Sequence, residues 1–263
     1  MADIRGRFLW YELMTTDVER AKAFYTSVTG WGIQGWNAAG GGEPYQMWSV
    51  GDRAIGGVMT TPPGSDAPPQ WLGYIGTPDV GETTTRAEAL GAKVLMPVKE
   101  IPTVGKFSVI ADPYGAVFLP FMPYPPPFPP PVPPPSPAVG DMTWHELITT
   151  DVPGALRFYS ELFGWTADAA MDMGPAGIYQ LYKAGEKQLG GMYLKPKEMP
   201  GPPHWLYYTR VADLEASMER TKAGGGQVLM GPHEVPGGDR IAICLDPQGA
   251  SFALVWIKAL SQS

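Results

Sequence analysis

The chain has 263 residues, enough for one large or two modest domains, each able to bury its own core. Hydrophobic residues make up 44% and charged residues 17%, and no apolar run approaches the ~18 residues that span a bilayer, so the composition describes a soluble globular protein. A net charge of −7 without any basic block argues against nucleic acid and anionic membranes as partners.

The start, MADIRGRFLWYEL, lacks the charged-then-apolar layout of a signal peptide, which points to a cytoplasmic protein. FLWYELMT alternates and predicts a strand. A helix follows over VERAKAFYTSVTG, with Val18, Ala21, Phe24 and Tyr25 at helical spacing, Asp17 as N-cap and Gly30 past its end. PYQMWSVG and RAIGGVMT read as two strands joined by a Gly-Asp turn, and the doublets Gly56-Gly57 and Gly190-Gly191 mark bulges in a curved sheet. The round restarts with strand WLGYIGT, a helix capped by Asp79 that runs to AEALGA, and strands KVLMP, KFSVIAD and AVFLPF. The run MPYPPPFPPPVPPPSPAVG favours polyproline II, a semi-rigid strap of about 45 Å between domains. Its alternative reading is a ligand for SH3 or WW modules.

Beyond the prolines the same text begins again. WYELMTTD at Trp10 becomes WHELITTD at Trp144, and the match continues without a gap through Phe24-Tyr25 and Phe158-Tyr159, Gly30-Trp31 and Gly164-Trp165, and Tyr45-Gln46 and Tyr179-Gln180. PPQWL at Pro68 answers PPHWL at Pro202, and Asp112-Pro113 answers Asp246-Pro247; every pair is 134 residues apart. The chain is therefore a duplication, with one module over 1–122, a proline-rich linker over 123–139 and a second module over 140–263. Each copy reads as two βαβββ units of α+β class. The lone cysteine, Cys244, sits in the apolar run RIAICLD and is a small core residue first and a reactive thiol second.

A strand, then TTD, then a helix ending in AFY…GW, and later DP-x-G before a last strand, together resemble the vicinal-oxygen-chelate superfamily. TTDVERAKAFYTSVTGW and TTDVPGALRFYSELFGW are the most specific parts. This family includes glyoxalase I, bleomycin-resistance proteins and extradiol dioxygenases. The resemblance implies paired βαβββ units that form a U-shaped, cavity-lining mixed sheet in each module. It also implies metal-ligand positions, which fall here on Trp10, Leu72 and Leu119 and on Trp144, Leu206 and Ala253. None of these can bind a divalent metal, so no metal and no cofactor are expected.

Alternation puts Trp10 and Glu12 on one face of the first strand and Tyr11 and Leu13 on the other, with Trp144 and Glu146 set against His145 and Leu147 in the second copy. By the resemblance the tryptophan face lines the cavity, which leaves His145 structural. WHELITTD also fails as a zinc-protease H-E-x-x-H motif, because Thr149 stands where the second histidine belongs. A carboxylate among tryptophan, methionine and isoleucine needs a donor, nearby water or a raised pKa. Glu12 and Glu146 are thus candidates for catalysis or for a structural bond to tyrosine or backbone, and His204 is a candidate partner of Glu146. Trp10, Gln46, Trp48, Gln70, Tyr74, Trp144, Gln180, Tyr182 and Tyr208 are the candidate ligand-binding residues. Trp48, Tyr74, Tyr182 and Tyr208 have a core role as their first reading.

Two functions compete. One is a metal-free small-molecule-binding protein with an aromatic cleft in each module. The other is a lyase, isomerase or dioxygenase-type enzyme that uses Glu12 or Glu146 as general base. The expected partner is a small ligand, and the chain is expected to be a monomer by internal pseudo-dimerism, with a homodimer as the alternative.

Overall fold

The computed structural model describes residues 4–37, 44–62, 64–124 and 137–258. The proline run over 125–136, read above as a strap, lies outside the described residues. The first module runs β1 (Phe8–Thr15), α1 (Val18–Thr29), β2 (Gly32–Trp36), β3 (Tyr45–Val50), β4 (Arg53–Thr60), β5 (Gln70–Gly76), α2 (Val80–Ala89), β6 (Lys93–Ile101), β7 (Gly105–Ala111) and β8 (Val117–Pro123). The second repeats this order as β9 (Met142–Thr149), α3 (Val152–Phe163), β10 (Thr166–Asp172), β11 (Ile178–Ala184), β12 (Lys187–Leu194), β13 (His204–Arg210), α4 (Leu214–Ala223), β14 (Gln227–Glu234), β15 (Arg240–Leu245) and β16 (Ser251–Trp256).

The strands form two eight-stranded mixed sheets, ordered β2-β3-β4-β1-β5-β8-β7-β6 and β10-β11-β12-β9-β13-β16-β15-β14. This is the α+β, tandem βαβββ architecture that the repeat predicts. Among the described residues no helix is long and apolar enough to cross a membrane.

Helix ends follow local chemistry. The side chains of Asp17, Asp79, Asp151 and Asp213 accept from backbone N–H groups three residues on, satisfying donors that the first turn leaves open. Gly30 closes α1 at φ 79°, a left-handed conformation that a side chain would strain. Sequence reading located β3 and β4 but not β2, whose GIQGW carries two glycines and little alternation.

Packing divides the chain differently from the sheets. One compact unit comprises Met1–Tyr11, Leu72–Val132 and Trp144–Leu206; the other comprises Glu12–Trp71, Pro133–Thr143 and Tyr207–Ser263. Each unit therefore combines one half of each module. In the first, the Tyr159 hydroxyl on α3 donates to Asp112 at 3.0 Å and accepts from the Trp205 indole at 3.2 Å. The Trp165 indole donates to the Gly6 carbonyl at 2.8 Å and stacks on Tyr182, with ring centroids 4.5 Å apart. In the second, Tyr25 on α1 donates to Asp246 at 3.1 Å and accepts from Trp71 at 2.9 Å, and Trp31 donates to the Gly140 carbonyl at 2.7 Å.

Asp112 and Asp246 are the first residues of the two Asp-Pro-x-Gly turns. Each also accepts from two backbone N–H groups of its own turn at 2.9 Å, so the carboxylate is oriented before the tyrosine reaches it. Cys244 is buried, and burial pushes its thiol up to about 12, which fits the core reading and leaves no thiolate at neutral pH.

Removing either hydroxyl strands a buried indole N–H and a buried carboxylate oxygen. We expect Y25F and Y159F each to lower unfolding free energy by about 1–3 kcal/mol. Urea denaturation followed by tryptophan fluorescence checks this, and a loss below about 0.5 kcal/mol for both would show that these bonds are not what secures the units.

Candidate functional site

Glu12 lies in the middle of β1 and is 3% exposed. Its Oε2 accepts from the Tyr45 hydroxyl at 2.6 Å, while Oε1 is buried with no hydrogen-bond partner among the described residues. Burial lifts the carboxyl from its ordinary 4.5 to about 8, and the Tyr45 bond only partly offsets this. The pair meets across Gly57 on β4, where an added Cβ would overlap the Tyr45 ring and crowd Glu12 Oε1. β3 pairs with both neighbours, setting Met47 against Gln34 and Gly57, and Tyr45 against Trp36. Trp36, Tyr45 and Met47 are half-buried on the face that carries Glu12.

The second copy repeats the arrangement with additions. Tyr179 donates to Glu146 Oε2 at 2.7 Å and accepts from the Trp144 indole at 2.9 Å. Gly191 sits opposite Glu146 in the β12–β9 pairing, and a Cβ there would overlap the Tyr179 ring. Tyr193 stacks beside Tyr179 with centroids 6.1 Å apart. Both phenols are pushed upward by burial, with the charge of Glu146 adding to the effect.

The predicted ligand residues separate into two groups. Trp10, Trp144, Gln46, Gln70 and Gln180 are half-buried, as is the catalytic candidate His204. Trp48 and Tyr182 are fully buried and belong to the core, so their reading as pocket walls is corrected. Trp48 donates to the Gly57 carbonyl at 2.9 Å and packs on Tyr25, and Tyr182 donates to the His145 carbonyl at 3.0 Å. Strand alternation puts Gln46 with Trp48 and Gln180 with Tyr182, so it is Tyr45 and Tyr179, one residue earlier, that share a face with the glutamates. Gln46 caps the Pro44 carbonyl, and Gln180 bonds the Asp168 and Leu181 carbonyls.

Tyr74 is 8% exposed and packs against Phe107 and Phe121, and Tyr208 is 3% exposed. His204 Nδ1 lies 3.0 Å from the Pro202 carbonyl, and burial lowers its pKa. The tyrosine partners were visible only as the repeated pair Tyr45-Gln46 and Tyr179-Gln180, with no local sign of which member faced the glutamate.

His145 is 6% exposed, between the Leu189 carbonyl at 2.8 Å from Nδ1 and the Tyr11 hydroxyl at 2.6 Å from Nε2, with Phe8 stacked on it at 3.9 Å. A carbonyl can only accept, so Nδ1 carries the proton and Nε2 accepts from Tyr11. The ring is held neutral and structural.

The family's metal positions do not fit a divalent cation. Leu119 faces Tyr74 across the β5–β8 pairing and Ala253 faces Tyr208 across β13–β16, where each contributes only hydrocarbon. Among the described residues, no group of three or more His, Cys, Asp or Glu side chains is placed to hold a metal.

Two titrations of opposite sign are expected. A folded-state pKa of about 8 for Glu12 means the native chain keeps a proton that the unfolded chain releases, so stability declines as pH rises from about 4.5 to about 8. Burial lowers His145 from 6.5 to about 3, so its contribution is complete above about 6.5 and is lost as pH falls toward 3. Of the two, only Glu12 acts between pH 6.5 and 8. E12Q should flatten the loss of urea stability across that interval, and an unchanged slope would contradict the assignment. G57A should displace Tyr45 and cost about 1–3 kcal/mol, measured by the same denaturation.

The model of the Glyoxalase/Bleomycin resistance protein/Dioxygenase superfamily matches residues 7–118 and again 142–254. The chain is 35% identical over 249 residues to CFP32 of Mycobacterium tuberculosis (strain CDC 1551 / Oshkosh), named as a glyoxylase, covering 94% of this chain and 93% of that one. It is 29% identical over 267 residues to the anthracycline biosynthesis protein DnrV of Streptomyces peucetius, covering 96% and 94% respectively. Among solved structures, the Mn(II)-bound glyoxalase of Novosphingobium aromaticivorans is similar in fold, with a TM-score of 0.62 at 15% identity over 96% of this chain and 82% of that one. The chain thus belongs to the Glyoxalase/Bleomycin resistance protein/Dioxygenase superfamily, as two tandem modules.

Proposed function

We propose that this protein binds a small, partly apolar molecule without a metal, using a glutamate–tyrosine pair in each module where metal-dependent relatives use a cation. The observation that carries the reading is the Glu12–Tyr45 bond beside a buried oxygen with no partner among the described residues, set among Trp36 and Met47, with no cluster of further metal donors among those residues. A binding face of this kind combines apolar walls with a few placed polar groups. The relative named for anthracycline biosynthesis supports an aromatic ligand class, and nearly its whole length is matched. The Mn(II)-bound glyoxalase shares the fold at 15% identity, which does not bring its metal chemistry to this chain.

A second reading, an acid–base enzyme, is favoured by the pKa of Glu12 near 8, which suits proton exchange close to neutral pH. In that reading Glu12 accepts a proton from a carbon next to a substrate carbonyl, and Tyr45 holds the carboxyl in place.

Elemental analysis of the purified chain, paired with melting-temperature shifts against divalent metals and against aromatic metabolites, tests the proposal. Less than about 0.1 equivalent of transition metal per module, and stabilisation by organic ligands alone, is the expected result. Near-stoichiometric metal whose removal lowers the melting temperature would overturn it.

A further inference from the structure

We propose that the Glu12 carboxyl of the first module is a hydrogen-bond donor that recognises the carbonyl oxygen of an uncharged aromatic ketone or quinone. The inference rests on the metal-independent reading and adds the ligand's chemical class. Oε2 already accepts the Tyr45 proton at 2.6 Å, so a proton on this carboxyl resides on Oε1. Oε1 is the oxygen that has no partner among the described residues. A buried O–H without an acceptor is unfavourable, and a ligand oxygen that accepts removes that penalty.

The surroundings select a neutral ligand. The side chains that β2 and β3 put on this face are Gln34, Trp36, Tyr45 and Met47, none of them cationic, while Arg53 at the start of β4 is already paired with Asp141. An anionic ligand would be desolvated there without a counter-charge. Trp36 and Met47 offer a flat ring an aromatic and a thioether surface. Burial keeps Glu12 protonated up to about 8, so the donor is present at neutral pH.

Isothermal titration of the full chain with 1-acetonaphthone, naphthalene and 1-naphthoate at pH 6.5 tests this. The ketone should bind about tenfold more tightly than either of the others, the difference expected of one buried hydrogen bond. Its affinity should fall as pH rises through about 8. E12A should lose the tenfold preference. E12Q, whose amide N–H₂ can donate while its oxygen accepts from Tyr45, should keep the preference and lose the pH dependence, with circular dichroism confirming that both variants fold. Equal binding of all three probes, or an E12A variant that keeps the preference, overturns this inference and leaves the metal-free binding reading standing. No binding of any probe overturns both.

Discussion

The bond from a helix tyrosine to the aspartate of an Asp-Pro-x-Gly turn is what the two compact units depend on. Tyr159 reaches Asp112 and Tyr25 reaches Asp246, each from one module into a turn of the other. Each hydroxyl is also an acceptor for an indole, from Trp205 or Trp71, so donor and acceptor capacities are both used in a buried place. The aspartates hold their geometry because their own turns donate to them first. Burial raises the pKa of both, and the bonds they accept pull the other way. Each of these chains of bonds takes its tyrosine and indole from one module and its aspartate from the other, which gives a physical reason for two copies of the line on one polypeptide.

The local parts of this architecture were legible in the sequence. Strand alternation, aspartate caps and terminal glycines act within a few residues, and the helices and most strands sit where those signals put them. Less legible was anything that depends on a partner far along the chain. Tyr11 and His145 are 134 residues apart and hydrogen-bonded, a link that neither strand announces. The glutamates were identified from parity on the first strand, but their tyrosines were missed by one residue. Register irregularities opposite Trp48/Ser49 and Tyr182/Lys183 put an extra residue on the neighbouring strands β4 and β12, which sequence spacing does not announce. The glycine doublets read as bulges pair regularly, and the residue skipped in each ladder is the one before them, Ile55 or Leu189; Gly57 and Gly191 serve chiefly as the bare backbone over which a tyrosine ring passes.

The chemistry of Glu12 follows from what surrounds it. Tryptophan at position 10 and leucine at positions 72 and 119 stand where metal ligands are implied, and Glu12 lies two residues further along β1. Burial favours the neutral form of its carboxyl, and the Tyr45 bond offsets this only in part. The apolar side chains at the implied ligand positions and the raised pKa of Glu12 thus share one physical cause, a hydrocarbon setting on that stretch of the sheet.

The two copies have not kept identical surroundings for this pair. Position 59 is methionine and 47% exposed, whereas its counterpart Tyr193 stacks on Tyr179. Tyr179 sits between the Trp144 indole and the Glu146 carboxylate, so its orientation is fixed from both sides. An additional aromatic ring beside the second pair narrows that face and adds a second phenol, while the exposed thioether beside the first leaves it adaptable. The duplicated scaffold therefore keeps one constant polar pair while the side chains flanking it differ between the copies, so the two faces are chemically unequal.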